Sequence, residues 1–230
     1  IEGRWSKRKK ERILNSRISG TSLLAARISE LDNPPKVVVS SSAIGFYGNR
    51  GDEILSEKSA GGSGFLADVC KKWELEAAAI ASPKTRLVIA RTGIVCTPVG
   101  GALPKILQTL KFFIGGPLGS GKQWWSWITL EDEIRALLHL LDSEVEGAVN
   151  LVAPEPVTNK SFVKIFGKQM RRPYFLVAPS LALRLLLGEM ADGLLLASAR
   201  VKPDALTESG FIFKHSNLDS AAEELAGSHE

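Results

Sequence analysis

Apolar positions recur along this chain with two different periods, and the alternation of the two sets out its elements. From Arg4 to Leu31, Ile13, Leu14, Ile18, Leu24, Ile28 and Leu31 keep roughly one side of a helix apolar, and Asp32-Asn33-Pro34-Pro35 stops it. "KVVV", Lys36 to Val39, is a continuous β-branched run, the pattern of a strand buried on both faces of a parallel sheet. Asn49 to Gly64 is a Gly/Ser-rich loop with acidic residues. Phe65 to Ala81 is helical again, with Leu66, Val69, Trp73, Ala77 and Ile80 on one stripe. "TRLVIA", Thr85 to Ala90, is a second buried strand. Strand, helix, strand in this order is a βαβ unit with a right-handed crossover.

Two glycine-rich stretches follow, within an insertion at about 99–125. Thr129 then stands as the cap of a helix whose first turn carries Glu131, Asp132 and Glu133, the sign its dipole favours. Ile134, Leu137, Leu138 and Leu141 give that helix an apolar stripe at i, i+3, i+4, i+7, and "AVNLVA" is a further strand. Beyond Pro154 the pieces become shorter and amphipathic. "PSLALRLLLGEMADGLLLASA" reads as a core helix pair, and Val201 to Leu225 as helix, turn, short strand, helix. The fold class is α/β.

Composition removes several function classes. The apolar tract at 179–199 is interrupted by Arg184, Glu189 and Asp192, so no membrane span is expected. The net charge of +4 comes mostly from "KRKKER", Lys7 to Arg12. No basic stripe with interleaved aromatics follows it, which favours a solvated helix face over a nucleic-acid arm. Cys70 and Cys96 sit in no paired motif, which suits a reducing compartment. His139, His215 and His229 lack ligand spacing, so no metal site is expected.

"GPLGSGKQ", Gly116 to Gln123, nearly matches the phosphate-loop pattern, but Gln123 replaces the magnesium-binding hydroxyl and Trp124, Trp125, Ser126 and Trp127 follow where a helix should open. The stronger motif is "KVVVSSSAIGFYG", where three serines end a buried strand. "SSSA" followed by "YG" resembles the active-site serine segment of extended short-chain dehydrogenases/reductases, the family of nucleotide-sugar epimerases and dehydratases. In that register Ser42 takes the catalytic serine position. The helix "FLADVCKKWE" sits where the family carries Tyr-x-x-x-Lys, and "SRISGT" where an Asn precedes Gly-Thr. The family's Tyr moves a hydroxyl proton, its Lys lowers that Tyr's pKa and holds the ribose, its Ser binds the reacting oxygen and its Asn supports a relay water. Here Leu66 replaces the Tyr, Cys70 the Lys and Arg17 the Asn. Tyr47 is the remaining nearby phenol, but it lies in the turn after the strand and not one helical turn from a Lys.

A longer set of motifs, including "ARTGIV", "GGALPKIL", "GGPLGSGKQWWSWITLED", "VNLVAPEPVTNKSFV", "LLGEMAD" and "GFIFKH", is similar to one atypical branch of that family, called epimerase family protein. The resemblance runs from Trp5 to about Leu225. It implies a Rossmann-like parallel sheet over 1–176 and a small α+β, branch-specific substrate or cap domain over 177–230. It implies NADP(H) as cofactor, a small-molecule substrate it does not name, and either bacterial cytoplasm or chloroplast stroma. It leaves a homo-oligomer open. Carried over residue by residue, it places Arg17, Ser40, Ser41, Arg91, Ile94 and Val95 at the cofactor. Arg17 would suit a phosphate and the backbone of Ile94 and Val95 a carboxamide, against exposed-helix and plain strand-end alternatives. Lys122, Gln123 and Trp125 fall at the substrate cleft. The tryptophans there suit either stacking on a sugar or base, or packing between lobes.

Members of the branch begin with a strand and a glycine-rich phosphate turn, and this sequence starts at the helix after the fourth strand. The expectations that follow are a Rossmann-like sheet lacking its first strands, an open sheet edge, an inactive chain, and weak or no retention of NADPH. For the whole protein two functions stand: an NADP(H)-dependent epimerase or oxidoreductase with an unconventional proton donor, or a catalytically silent NADP(H)-binding regulator or scaffold, tied to cell or plastid division.

Overall fold

The computed structural model describes residues 3–227; His229 lies outside them. Helix α1 (Lys7–Ser29) begins at Ser6, whose hydroxyl accepts from the Lys9 amide at 3.3 Å. Strand β1 (Val37–Ala43) runs through all three serines, further than its apolar run, because parallel pairing with β3 (Arg86–Thr92) continues to Ala43↔Thr92. Between them lie a 3₁₀ turn (Ile44–Tyr47), the short β2 (Ile54–Leu55) and α2 (Phe65–Ala78). Then come β4 (Ile94–Cys96), α3 (Leu103–Lys111), β5 (Trp124–Trp125), β6 (Trp127–Thr129), α4 (Leu130–Asp142) and β7 (Gly147–Leu151). The remainder is β8 (Val157–Thr158), α5 (Asn159–Gln169), α6 (Ser180–Leu187), a wide helical turn at Ala191–Leu195, β9 (Arg200–Val201), α7 (Asp204–Glu208) and α8 (Leu218–Gly227).

The main sheet has the order β1-β3-β7, all parallel, with the βαβ unit the apolar pattern predicts. Among the described residues β1 pairs on one side only. Strand alternation divides the side chains between two layers. Val38, Leu87 and Ile89 meet Ala25 and Ile28 of α1 and Ile80. Val88, Ala90, Val149 and Leu151 meet Ala136 and Leu140 of α4. Three two-stranded pairs, β2-β9, β4-β6 and β5-β8, extend the molecule beyond the carboxyl ends of the sheet.

Three sequence expectations change. Helix α4 buries Asp132, Glu133, Ala136 and Leu140, and it leaves Ile134, Leu138 and Leu141 exposed at 49, 56 and 46%. Both arcs of this helix carry apolar residues, so periodicity alone does not choose. Its rotation is fixed by β6, which leads directly into it, and by Asp132, whose carboxylate accepts from the Lys214 and His215 amides at 2.8 and 2.9 Å. The tract at 179–199 is not a core helix pair: Leu181, Leu185 and Leu186 of α6 are 67–72% exposed, since the helix packs mainly on the turn that follows it. No strand forms at Phe211–Lys214, because the Phe211 amide goes to the Leu206 carbonyl and the Lys214 amide to Asp132, while Phe211 and Phe213 pack against the α4 layer.

Thr129 caps α4 as predicted, accepting from the Asp132 amide at 3.2 Å. Thr129→Ala is expected to cost about 1 kcal/mol, read as a fall in thermal midpoint of roughly 2–4 °C.

Candidate functional site

The carboxyl ends of β1 and β3 open into a cavity of about 460 Å³. This is where α/β sheets characteristically hold ligands. Its floor is Ala43, Gly45, Thr92 and Gly93, its side is α2 with Leu66 and Cys70, and its roof is the turn at Glu189–Leu194. Trp5, Phe65, Trp73, Trp124 and Trp125 give its largely apolar lining an aromatic share. Trp5 sits edge-on to Phe65 at 5.2 Å in the wall. A Cβ on Gly45 would lie 3.6 Å from Leu66 Cβ and 3.7 Å from Cys70 Sγ, so the turn after β1 approaches α2 closely. The same closeness puts Ser42, Leu66 and Cys70 together, as the motif register requires. Burial, and after it the charge of Glu74, pushes the Cys70 thiol up to about 11. At neutral pH it is an uncharged group and cannot do the work of a lysine.

Beneath the cavity lies a buried polar chain. Ser42 Oγ donates to Glu74 Oε1 at 2.6 Å. Arg91 binds both oxygens of Glu74, Nε to Oε1 at 2.9 Å and Nη2 to Oε2 at 2.8 Å. Its Nη1 donates to the Tyr47 hydroxyl at 3.0 Å, and that hydroxyl donates to Asn150 Oδ1 at 2.8 Å. The guanidinium also lies 3.6 Å from the centre of the Phe46 ring. Burial draws the Arg91 pKa down, but its bonds to Glu74 and the nearby Tyr47 more than offset this and hold it above the usual arginine value. Burial raises the Tyr47 phenol, against the opposing pull of Arg91. Tyr47 is fully buried and locked at both its donor and its acceptor, which removes it as the missing proton donor.

Of the residues singled out from sequence, Arg17, Leu66, Cys70, Ile94 and Trp125 line the cavity. Arg17 is its one cation among the described residues and lies 5.8 Å over the Trp73 ring. Ser42 lies below it, 5% exposed and bound to Glu74. Ser40 and Ser41 stay on β1 outside the lining. Several of the other residues are engaged elsewhere. Arg91 is turned to Glu74 and away from the cavity, because a buried guanidinium takes the carboxylate that neutralises it. Val95 packs into the α4 layer. The Ile94 amide donates to the Ser126 carbonyl at 2.9 Å in the β4-β6 pairing, so it has no hydrogen to offer a carboxamide. Lys122 is exposed and outside the lining. Gln123 Nε2 donates to the Leu118 and Leu195 carbonyls at 3.1 and 3.0 Å, fastening the glycine loop to the roof. Trp125 lines the cavity and packs edge-on to Phe162 at 5.3 Å.

One buried acid has no place in the sequence-based site. Glu133 accepts from Thr92 Oγ1 at 2.8 Å, and Thr92 lines the cavity. Its other oxygen is buried with no hydrogen-bond partner among the described residues. Burial raises this carboxyl to about 7, against the smaller opposing effect of the Thr92 bond. In sequence it is the third acid of a helix's first turn, indistinguishable from a dipole-favoured surface residue.

Residues 178–225 match the family described as "Domain of unknown function (DUF1731)". The chain is 40% identical over 219 residues to an epimerase family protein of Mycobacterium bovis, covering 95% of this chain and 72% of that protein. It is 37% identical over 229 residues to one of Staphylococcus aureus, covering 98% and 75%. The chain belongs to the epimerase family of atypical extended short-chain reductases. Its fold matches the crystal structure of human epimerase family protein SDR39U1 (isoform 2) with NADPH at a TM-score of 0.93 and 32% identity, over 97% of this chain and 76% of that one. It also matches a nucleoside-diphosphate sugar epimerase from Corynebacterium glutamicum at 0.78 and 33%, over 99% and 45%. Epimerase-family membership accounts for the parallel sheet with its cavity at the strand ends. No helix among the described residues is long and apolar enough to cross a membrane.

Proposed function

We propose that this epimerase-family protein is an NADP(H)-dependent oxidoreductase or epimerase acting on a small carbonyl or hydroxyl substrate without a Tyr-x-x-x-Lys pair. The observation that carries this is the cavity itself: an apolar chamber with five aromatic side chains at the carboxyl ends of β1 and β3, whose wall holds, among the described residues, one cation, Arg17. A flat ring fits an apolar, aromatic lining, and a guanidinium stacked on an indole suits a phosphate. The donor set therefore fits part of a dinucleotide. When bound, the nicotinamide would supply or accept a hydride. The human relative's structure with NADPH supports the choice of cofactor. The chain's own residues do the rest. Arg17 holds negative charge, the tryptophans and Leu66 exclude water, and the roof at Glu189–Leu194 limits access. Ser42 lies beneath the cavity with its proton given to Glu74, so its part would be to fix α2 against β1.

The alternative is a silent NADP(H)-binding regulator. Leu66 and the neutral Cys70 in the two family catalytic positions favour it. Titration with NADPH followed by nicotinamide fluorescence tests the cofactor assignment. The expected result is weak binding that Arg17→Ala reduces about tenfold, the loss of a charge-assisted bond, with NADH less affected. Tight binding indifferent to Arg17→Ala would overturn it. Turnover of NADPH with any carbonyl or sugar nucleotide would exclude the silent alternative.

A further inference from the structure

The family's phenol is replaced by Leu66, and Tyr47 is sealed in the core, so the site has no proton donor of the usual kind. One contact supplies another. Thr92, the last residue of β3, touches the cavity on one side and Glu133 on the other, hydroxyl to carboxyl at 2.8 Å. Glu133 is 8% exposed and its second oxygen is unpartnered among the described residues. We propose that Thr92 is the group that hands a proton to the reacting oxygen in the cavity, and that Glu133 behind it is the proton's reserve.

This assignment rests on the cofactor reading above and names the acid that reading lacks. As hydride from a reduced nicotinamide forms the new C–H bond, the carbonyl π pair moves onto oxygen. That oxygen takes the Thr92 hydroxyl proton. With Glu133 protonated, the carboxyl supplies the hydrogen of the Thr92–Glu133 contact and leaves the Thr92 hydroxyl hydrogen free to point into the cavity; Thr92 Oγ1 then takes the carboxyl proton, and Glu133 is left as carboxylate. In the reverse direction each proton returns along the same path. A hydroxyl alone is too weak an acid for this work at neutral pH, and a carboxyl close to neutrality behind it is suited to it.

No charged neighbour competes for the role. β1, β6 and β7 present no titratable side chain to this layer, Arg91 of β3 lies on the opposite face with Leu87 and Ile89, and Arg86, which shares the face of Thr92, is held at the far end of α4 by the Leu140, Leu141 and Val145 carbonyls. Cys96 of β4 is a neutral thiol, pushed by burial to about 12. Asp132, the neighbouring acid on α4, is bound to Arg135 and to the Lys214 and His215 amides. Glu133 is thus tuned by burial and by Thr92, and it acts only through Thr92.

A phenolate in the cavity imitates the nascent alkoxide and needs neither cofactor nor substrate. Pentafluorophenol is acidic enough to remain an anion across the window of interest, and fluorine NMR follows its binding. With Glu133 as the linked acid, wild-type affinity is expected to fall about tenfold per pH unit above about pH 7. Glu133→Gln and Thr92→Val should both flatten that dependence, and Thr92→Ser, which keeps the hydroxyl, should retain it. The assignment is overturned by a slope that survives Glu133→Gln or Thr92→Val, by a slope lost in Thr92→Ser, by a flat wild-type profile, or by no binding at about millimolar phenolate. Because no nicotinamide is present, a failed relay is distinguishable from a failed cofactor assignment, which the NADPH titration reads separately.

Discussion

Arg91→Ala is expected to be among the most destabilising single substitutions in this protein. The guanidinium is one end of an ion pair whose side chains are 7 and 11% exposed, and removing it leaves Glu74 charged and buried. Truncating one partner of such a pair costs about 3–5 kcal/mol. The loss spreads further, since the Tyr47 hydroxyl loses a donor and the Phe46 ring loses the cation stacked on it. In a domain of this size the thermal midpoint should fall by about 10 °C. Urea unfolding at neutral pH gives the free energy directly. Replacing both partners, Arg91→Met with Glu74→Leu, should recover much of the loss, because a matched apolar pair needs no desolvated charge. A single-variant loss below about 1 kcal/mol would show that water reaches Glu74 and that the polar chain beneath the cavity is not a sealed unit.

That chain marks the limit of what could be read from residues alone. The βαβ unit, the cap at Thr129 and the family register were legible, because each depends on local spacing or on a motif contiguous in sequence. Ser42, Leu66 and Cys70 could be brought together from the motif, and the structure brings them together. Arg91 could not be placed. A strand-end arginine looks the same whether it meets a phosphate or a carboxylate, and Glu74, its partner, is 17 residues away on a helix face. Gln123 is similar: "GKQ" resembles a phosphate loop, but its amide is spent on the Leu195 carbonyl, 72 residues distant. The rotation of α4 was illegible for another reason. Its exposed arc, Ile134, Leu138 and Leu141, is as apolar as its buried one, and the choice is made by Asp132 capturing two amides near the C-terminus. Glu133 follows from that choice: once the helix is turned, the acid is inside.

Glu133→Gln is accordingly expected to stabilise the protein at alkaline pH and to leave it nearly unchanged in mild acid. An unfolded glutamate titrates at about 4.3, and burial raises this one to about 7 in the folded state. Between those values the native protein holds a proton that the unfolded chain has released. Stability therefore falls as pH rises through the window, by up to about 1.4 kcal/mol per unit, and is flat again above it. The accumulated penalty approaches about 3 kcal/mol, and glutamine, which keeps an oxygen for Thr92 but cannot ionise, removes it. Urea midpoints for both proteins from about pH 4.5 to about pH 8.5 should converge at the acid end and separate progressively through neutrality. Glu57, also raised by burial, titrates in both proteins and drops out of the difference. Parallel curves would mean that Glu133 is ionised throughout and solvated. The penalty has a functional meaning. A buried carboxylate with one unpartnered oxygen lowers stability at neutral pH, where a glutamine in the same place would not. Residues that lower stability in this way are characteristic of sites whose chemistry requires them, and this one reaches the cavity only through the Thr92 hydroxyl.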